Sequence, residues 1–408
     1  MKKVLIITEK FPPINCVGGL RAAGFHLYLK DYGWNSYVLT YSDFCGNSND
    51  NPLNSTNFNV VRMNCNEGRQ TFFLRSFKKF FSCPQKIIAS KTYDKFLEKA
   101  SELILEQKID MIWATAPSEW THLLSSELSV KFSIPWVADF RDVPEIYYKK
   151  CFLNRLFFER LKQSRDRYLC TVSAITSVSK GLGIISKHYC EKKVTVILNG
   201  FDPEIHSKFE NHSASNIFTI LYAGTICFPR RDPRPFFDGV KILLKQNKIS
   251  KENFQIIFLG VENFDIFDKY TIEIKDLLKI QKKRVSYAES IKAMYLSNVL
   301  LLLTIPQEKG IMTTKVFDYL ASRRPILSVP SDNDCIDELL KETNAGISLS
   351  HPDAIANKIL DWYNEWKQNG RISHYGIESK IESYSRQKQA GELSALLEKF
   401  TNTFTKDK

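Results

Sequence analysis

Residues 310 to 327 read GIMTTKVFDYLASRRPIL, and their types are those of a polar site at the start of a helix. Apolar residues recur there at helical spacing, which predicts an amphipathic helix that opens on Thr313, Thr314 and Lys315. Either threonine can cap such a helix, leaving its first backbone N–H groups free for an anion such as a phosphate, and Lys315 adds a mobile positive charge beside them. Asp318 follows one turn inside, where a carboxylate can accept two hydrogen bonds from neighbouring hydroxyls, such as those of a ribose. The plain alternative is that Asp318 offsets the helix dipole and Lys315 is solvated.

Two more loops suit anions. In FPPINCVGGLRAAG the pair Gly18-Gly19 stands immediately before a helix, so backbone could approach a ligand closely, with Arg21 near it. YAGTICFPRRDPRP follows a strand and supplies Gly224 with Arg230 and Arg231, whose planar forks match phosphate oxygens. Each motif alone has an ordinary explanation as a turn or a solvated surface. WVADFRD places Asp139, Arg141 and Asp142 at a strand end, where an internal Asp–Arg pair competes with a role in the chemistry. WATAPSEW supplies Ser118 and Glu119, and His122 just beyond lies on a helix, where a structural role is commoner.

The elements that must position these loops are legible as alternation. KKVLIIT, a Pro/Gly loop, the helical spacing of LRAAGFHLYLKDYGW and then SYVLTY form a strand–helix–strand run, continued by DMIWAT, SELSVKF, PWVADF, ITSVS and VTVIL. The pattern restarts after LNGFDPE at 198 to 204. FTILYAG, a helix from about 234, FQIIFLG, a helix near 265 to 280, RVSYA, NVLLLLTI, the helix at 313, PILSVP and AGISLS then follow in order. Such alternation predicts an α/β chain of two Rossmann-like, doubly wound parallel-sheet domains that face each other across a cleft and bind ligands at the carboxyl ends of their strands. The expected bounds are 1–200 and 201–379, with a helix over 380–408 whose Leu393, Leu396, Leu397 and Phe400 form an apolar stripe.

At 408 residues the chain exceeds the size of a single hydrophobic core. Its 43% apolar and 25% charged composition is that of a globular protein, not a disordered one. The longest apolar run, VLLLLTI at 299 to 305, is far short of the roughly 18 residues of a membrane span, and a cytoplasmic location is expected. The nine cysteines stand singly with no C-x-x-C pair, which argues against a zinc site and a disulfide framework. The net charge of +12 is uneven: residues 1 to 200 hold 28 Lys+Arg against 18 Asp+Glu, and the remainder 29 against 27.

Taken in order, PP..VGG.R, WATAPSEW, DFRD, SVSKGL, VILNGFD, YAGT....RRDPRP and TTKVFDYLASRRPIL resemble a retaining glycosyltransferase of the GT-B fold, similar to family 4. The resemblance implies metal-independent transfer of a sugar from a nucleotide-diphosphate donor, with no cofactor besides that co-substrate. It also implies that Gly18, Gly19, Thr313, Thr314 and Lys315 flank the diphosphate, that Arg230 or Arg231 neutralises the leaving group, and that Asp318 grips the ribose in place of the usual Glu. Gly224, Arg21, Asp139, Arg141 and Asp142 are the further candidates for substrate contact and catalysis. The final helix in that family crosses back to the first domain. Two positions depart from the pattern: the earlier of two glutamates seven residues apart falls on Gly310, with Glu308 close by, and a loop histidine falls on Thr115.

Residues 68 to 93 hold six basic residues and no acidic one, interleaved with Phe72, Phe73, Phe77, Phe80 and Phe81. A segment of that kind can lie on an anionic bilayer through Lys78, Lys79 and Lys86, and a second basic-aromatic stretch begins at Tyr147. The expected acceptor is therefore a lipid-linked glycan of cell-surface polysaccharide synthesis, met at the inner face of the cytoplasmic membrane. Two rivals stand beside this: a sugar-nucleotide epimerase on the same plan, and a basic nucleic-acid-binding protein, against which stands the lack of any recognisable nucleic-acid module.

Overall fold

The computed structural model describes residues 1–13, 17–42, 58–64, 90–116, 119–141, 163, 165–187, 193–212 and 215–406. Asp142, Ser118, the stretch bearing Lys78, Lys79 and Lys86, and most of the stretch from Tyr147 lie outside them. The chain divides into two compact units, Met1–Asn199 with Arg386–Lys408, and Gly200–Ser385.

The first unit holds β1 (Lys2–Ile7), α1 (Val17–Tyr28), β2 (Trp34–Ser42), β3 (Val60–Asn64), α2 (Ser90–Gln107), β4 (Met111–Thr115), α3 (Glu119–Phe132), β5 (Trp136–Phe140), β6 (Ala174–Ser177), α4 (Lys180–Lys187) and β7 (Val194–Val196). The second holds α5 (Pro203–His206), β8 (Phe218–Ala223), α6 (Arg234–Lys245), β9 (Phe254–Leu259), β10 (Leu278–Gln281), α7 (Tyr287–Tyr295), β11 (Val299–Leu303), α8 (Lys315–Ala321), β12 (Ile326–Val329), α9 (Cys335–Thr343), β13 (Gly346–Ser348), α10 (Pro352–Asn369) and α11 (Glu378–Glu382). A last helix, α12 (Arg386–Lys406), belongs to the first unit.

The strands pair in the orders β3-β2-β1-β4-β5-β6-β7 and β10-β9-β8-β11-β12-β13. Every pairing is parallel. Parallel sheets are covered on both faces, and β1 shows why its sequence is an unbroken apolar run: Val4 and Ile6 enter one core with Phe25, Trp113 and Leu393, whereas Leu5 and Ile7 enter the other with Phe96, Trp120 and Leu124. In each sheet the strand order reverses beside the first strand, between β1 and β4 and between β8 and β11. Ligands of such sheets sit outside the carboxyl ends at that reversal. Gly18 and Gly19 lie in the first turn of α1 after β1 rather than before the helix, Gly224 and the two arginines follow β8, and Thr313 and Thr314 lead into α8 at Lys315 after β11.

α12 lies on α1, with Ala390, Leu393 and Leu397 in the same core as Ala22, Ala23 and Phe25. Leu393 and Leu397 are fully buried, each side chain contributing about 2 kcal/mol. The helices approach closely because Gly24 leaves room for Arg386 and Gly391 for the Tyr32 ring, whose Cε1 would lie 2.8 Å from an added Cβ.

Two local expectations are corrected. RVSYA is not a strand: Ser286 and Glu289 form a reciprocal capping box that opens α7, and the edge strand is the preceding LKIQ. The span 264 to 277 is two short 3-10 turns rather than one helix. SELSVKF, named in the expected alternation, is the end of α3, within Glu119–Phe132.

Candidate active site

The helix that opens on Lys315 is seven residues long and mostly buried, with Val316, Phe317, Tyr319, Leu320 and Ala321 inside, so it is not amphipathic. Neither threonine caps it. Thr314 occupies the cap position with helical dihedrals and no side-chain bond, and the N–H groups of Val316 and Phe317 are taken by the carbonyls of Thr313 and Thr314. Tyr319 fixes the helix at the strand-order reversal: its hydroxyl accepts the Ala223 N–H at 3.2 Å from β8 and donates to the Leu301 carbonyl at 3.2 Å from β11.

That placement aims Lys315 back at β8. Its ammonium donates to the Tyr222 hydroxyl at 3.2 Å and lies 4.5 Å from the centre of the Tyr222 ring. Tyr222 donates onward to the Thr225 carbonyl at 2.8 Å, and burial pushes its phenol up to about 12. Gly224 has φ +110°, and a Cβ there would stand 2.5 Å from Lys315 Nζ, so any side chain would displace the ammonium. Burial, reinforced by the nearby Arg231 guanidinium, pushes Lys315 down to about 7. Arg231 also stands beside the Tyr222 hydroxyl, and its Nε is buried without a hydrogen bond. Among the described residues no carboxylate forms an ion pair with Lys315 or Arg231. Two cations thus converge without a counter-charge, and an anion is what such a pair stabilises.

Arg230 is directed elsewhere. Its Nε donates to Glu308 Oε1 at 2.6 Å and its Nη2 to Glu308 Oε2, which separates the two adjacent arginines. Gly310 has φ +75°, a left-handed conformation in which a glutamate would be strained, and its N–H is held by Asp334.

Asp318 is largely buried, and Oδ1 already accepts the Tyr287 hydroxyl at 2.6 Å and faces His206 Nε2 at 3.3 Å. His206 Nδ1 lies 3.3 Å from the Tyr295 hydroxyl. One carboxylate oxygen is therefore oriented by protein. Oδ2 carries no hydrogen bond among the described residues and remains able to accept from a diol.

In the first unit the candidates separate. Arg141 lies over the first turn of α1, where its Nη1 would be 2.4 Å from a Cβ on Gly18, and its Nε reaches the Ala116 carbonyl at 3.4 Å. Gly19 packs on the Phe11 backbone, 3.3 Å from an added Cβ. A guanidinium at the positive end of a helix is opposed by the dipole, so Gly18, Gly19 and Arg141 form a second place where an anion relieves charge. Arg21 and Asp139 do not join it. Arg21 pairs with Asp139 in two bonds of 3.1 and 2.9 Å, with side chains 2% and 0% exposed. Thr115 and Thr176 donate to the same carboxylate at 2.8 and 2.7 Å, and Arg21 Nη1 holds the Leu198 carbonyl at 2.9 Å. With their charged ends bonded to internal partners, these two residues pin strand ends. Glu119 is likewise buried with Arg165 at 2.9 Å, and burial, outweighed by that guanidinium, leaves its carboxyl below the usual range. His122 is buried, and desolvation lowers its pKa.

Among the described residues, Asp332, Asp334 and Cys335 place ligand atoms within 4.8 Å of one another. Asp332 spends its carboxylate on the N–H groups of Asp334, Ile336 and Asp337 at the start of α9, which makes it a helix cap. No helix among the described residues is long and apolar enough to cross a membrane.

No protein-family model and no curated protein sequence matches the chain. Solved structures do. Sucrose-phosphate synthase from Thermosynechococcus elongatus superposes with a TM-score of 0.63 at 13% identity, over 99% of this chain and 100% of that one. HepE from Anabaena in complex with UDP gives 0.63 at 13% identity, over 98% and 100%. The fold is GT-B. A putative UDP-N-acetylglucosamine 2-epimerase from Listeria monocytogenes shares it, with a TM-score of 0.55 at 9% identity over 96% and 95%.

Sequence reasoning missed Tyr222, Tyr319 and His206. Tyr222 and Tyr319 look like core aromatics in a single sequence, and only their pairing across β8 and α8 gives them a task. Ser286-x-x-Glu289 was a readable signal for the helix that delivers Tyr287 to Asp318.

Proposed function

We propose that the chain is a glycosyltransferase that moves a sugar from a nucleotide-diphosphate donor to a lipid-linked saccharide acceptor, with retention and without a metal, in cell-surface polysaccharide synthesis. The observation that carries this is the convergence of Lys315 and Arg231 on Tyr222, with no carboxylate paired to either among the described residues. Cleaving a sugar–phosphate bond builds negative charge on the departing diphosphate, and cations held ready for it lower the barrier. Asp318 Oδ2 would take a ribose hydroxyl while Tyr287 keeps the carboxylate in place. The similar HepE structure holds UDP, which supports a nucleoside diphosphate as ligand.

A thermal-shift screen of UDP, GDP, ADP, TDP and CMP tests the donor class. One nucleoside diphosphate at about 100 times its Kd is expected to add roughly 2.7 kcal/mol, a shift of a few degrees, and to add much less to Asp318→Ala. Stabilisation by nucleic acid and by none of the nucleotides would sink the proposal. The epimerase rival shares the fold, and product analysis separates the two, since an epimerase turns over donor with no acceptor present.

The acceptor side rests on the basicity of residues 68 to 93. Replacing Lys78, Lys79 and Lys86 by glutamine is expected to weaken binding to phosphatidylserine vesicles by roughly 100-fold, at about 1 kcal/mol per charge. Unchanged sedimentation with the vesicles would remove the membrane from the picture.

A further inference from the structure

The loops that deliver Arg231 and Lys315 are joined at a point outside the cation pair. Arg230 grips Glu308 in two parallel bonds, Nε to Oε1 at 2.6 Å and Nη2 to Oε2, so residues 227–233 after β8 are fastened to residues 304–314 after β11. The second loop has other anchors, and they all lead away from the first. Lys309 donates to the Asp332 and Asn333 carbonyls, the Gly310 N–H to Asp334, and Cys335 Sγ approaches the Ile311 carbonyl at 3.4 Å.

We infer that Arg230 and Glu308 are a positioning bridge. They hold the loop carrying Arg231 against the loop carrying Lys315, so that the two cations meet one anion, and Arg230 does not itself bear the charge of the bound diphosphate. The inference rests on the proposed nucleotide-sugar site. Adjacent arginines on one turn point to different partners, Arg231 toward Tyr222 and Arg230 toward Glu308, so the pair divides into one residue for the ligand and one for the loop. The bridge is 43% and 20% exposed, and a pair that wet contributes little to global stability. Its value lies in geometry, because small displacements of a charge-stabilising group are costly at a site built on alignment.

The test is a double-mutant cycle on the full chain, read as the Kd of the stabilising nucleoside diphosphate and of inorganic pyrophosphate. Arg230→Ala and Glu308→Ala are each expected to weaken binding about tenfold, the double variant to be no worse than either, and the exchanged pair R230E/E308R to recover most of the affinity. Arg231→Ala serves as the reference for direct contact, with a loss that no change at 308 repairs. Additive single effects, or an affinity that rises in Glu308→Ala because a freed Arg230 takes the phosphate, overturn the bridge while leaving the nucleotide site intact. A wild type that binds neither probe overturns the site and the bridge together.

Discussion

Lys315→Met is expected to weaken nucleoside-diphosphate binding sharply and at the same time to make the ligand-free protein more stable. Lys315 titrates near 7 in the folded chain against 10.5 for an ordinary lysine. Between those values the unfolded chain binds more protons than the folded one, so wild-type stability rises with pH from about 7 to 10.5, and the penalty for the buried charge is full below about 7. Methionine removes the penalty. The gain in Tm should therefore be largest near pH 6 and fade toward pH 10, each kcal/mol recovered moving Tm by roughly 2–4 °C. Turnover should fall by about 10²–10³-fold, the loss seen when one preorganised donor to a developing anion is removed. Wild-type affinity should also decline as pH rises through 7, since the diphosphate selects the protonated amine, and this decline should vanish in the variant. A variant less stable at every pH, or one that binds as tightly as wild type, would mean that Lys315 packs and does not carry charge.

Asp139→Ala is expected to cost about 3–5 kcal/mol of stability, because it leaves the Arg21 guanidinium buried with no counter-charge and strands the hydroxyls of Thr115 and Thr176. Urea unfolding is the measurement. A midpoint close to wild type combined with a loss of acceptor turnover would return Asp139 to the substrate. Asp139→Asn separates shape from charge: it keeps an acceptor for one of the two threonines and still leaves the arginine's charge unpaired.

Those two residues also mark the limit of what one sequence discloses. The doubly wound fold was legible because runs such as KKVLIIT and NVLLLLTI are apolar without alternation, as strands buried on both faces must be. Lys315 was legible because a Thr-Thr-Lys start after a buried strand has few purposes. Arg21 and Asp139 stand 118 residues apart, and nothing local shows that each is the other's counter-charge. The same blindness applies to Arg230 and Glu308, which a reading by neighbourhood sets apart, one as a phosphate ligand and the other as a substitute for a missing glutamate. The capping expectation failed for a different reason: the first N–H groups bond to the carbonyls of Thr313 and Thr314, and Tyr319 anchors the helix to β8 and β11.

The return of α12 to the first unit carries a consequence for synthesis on the ribosome. Unit 1 is assembled from Met1–Asn199 and Arg386–Lys408, whereas Gly200–Ser385 is continuous and has its two ends side by side through the Phe201 N–H and the Tyr384 carbonyl at 3.2 Å. At 5–20 residues per second the ribosome needs roughly 10–40 s to make the intervening unit, and during that time the seam of Ala22, Ala23 and Phe25 has no α12 to cover it. The nascent first unit thus keeps part of its core uncovered until the polypeptide is nearly finished. A premature stop near Ser385 would complete the second unit and leave the first without the helix that covers its core.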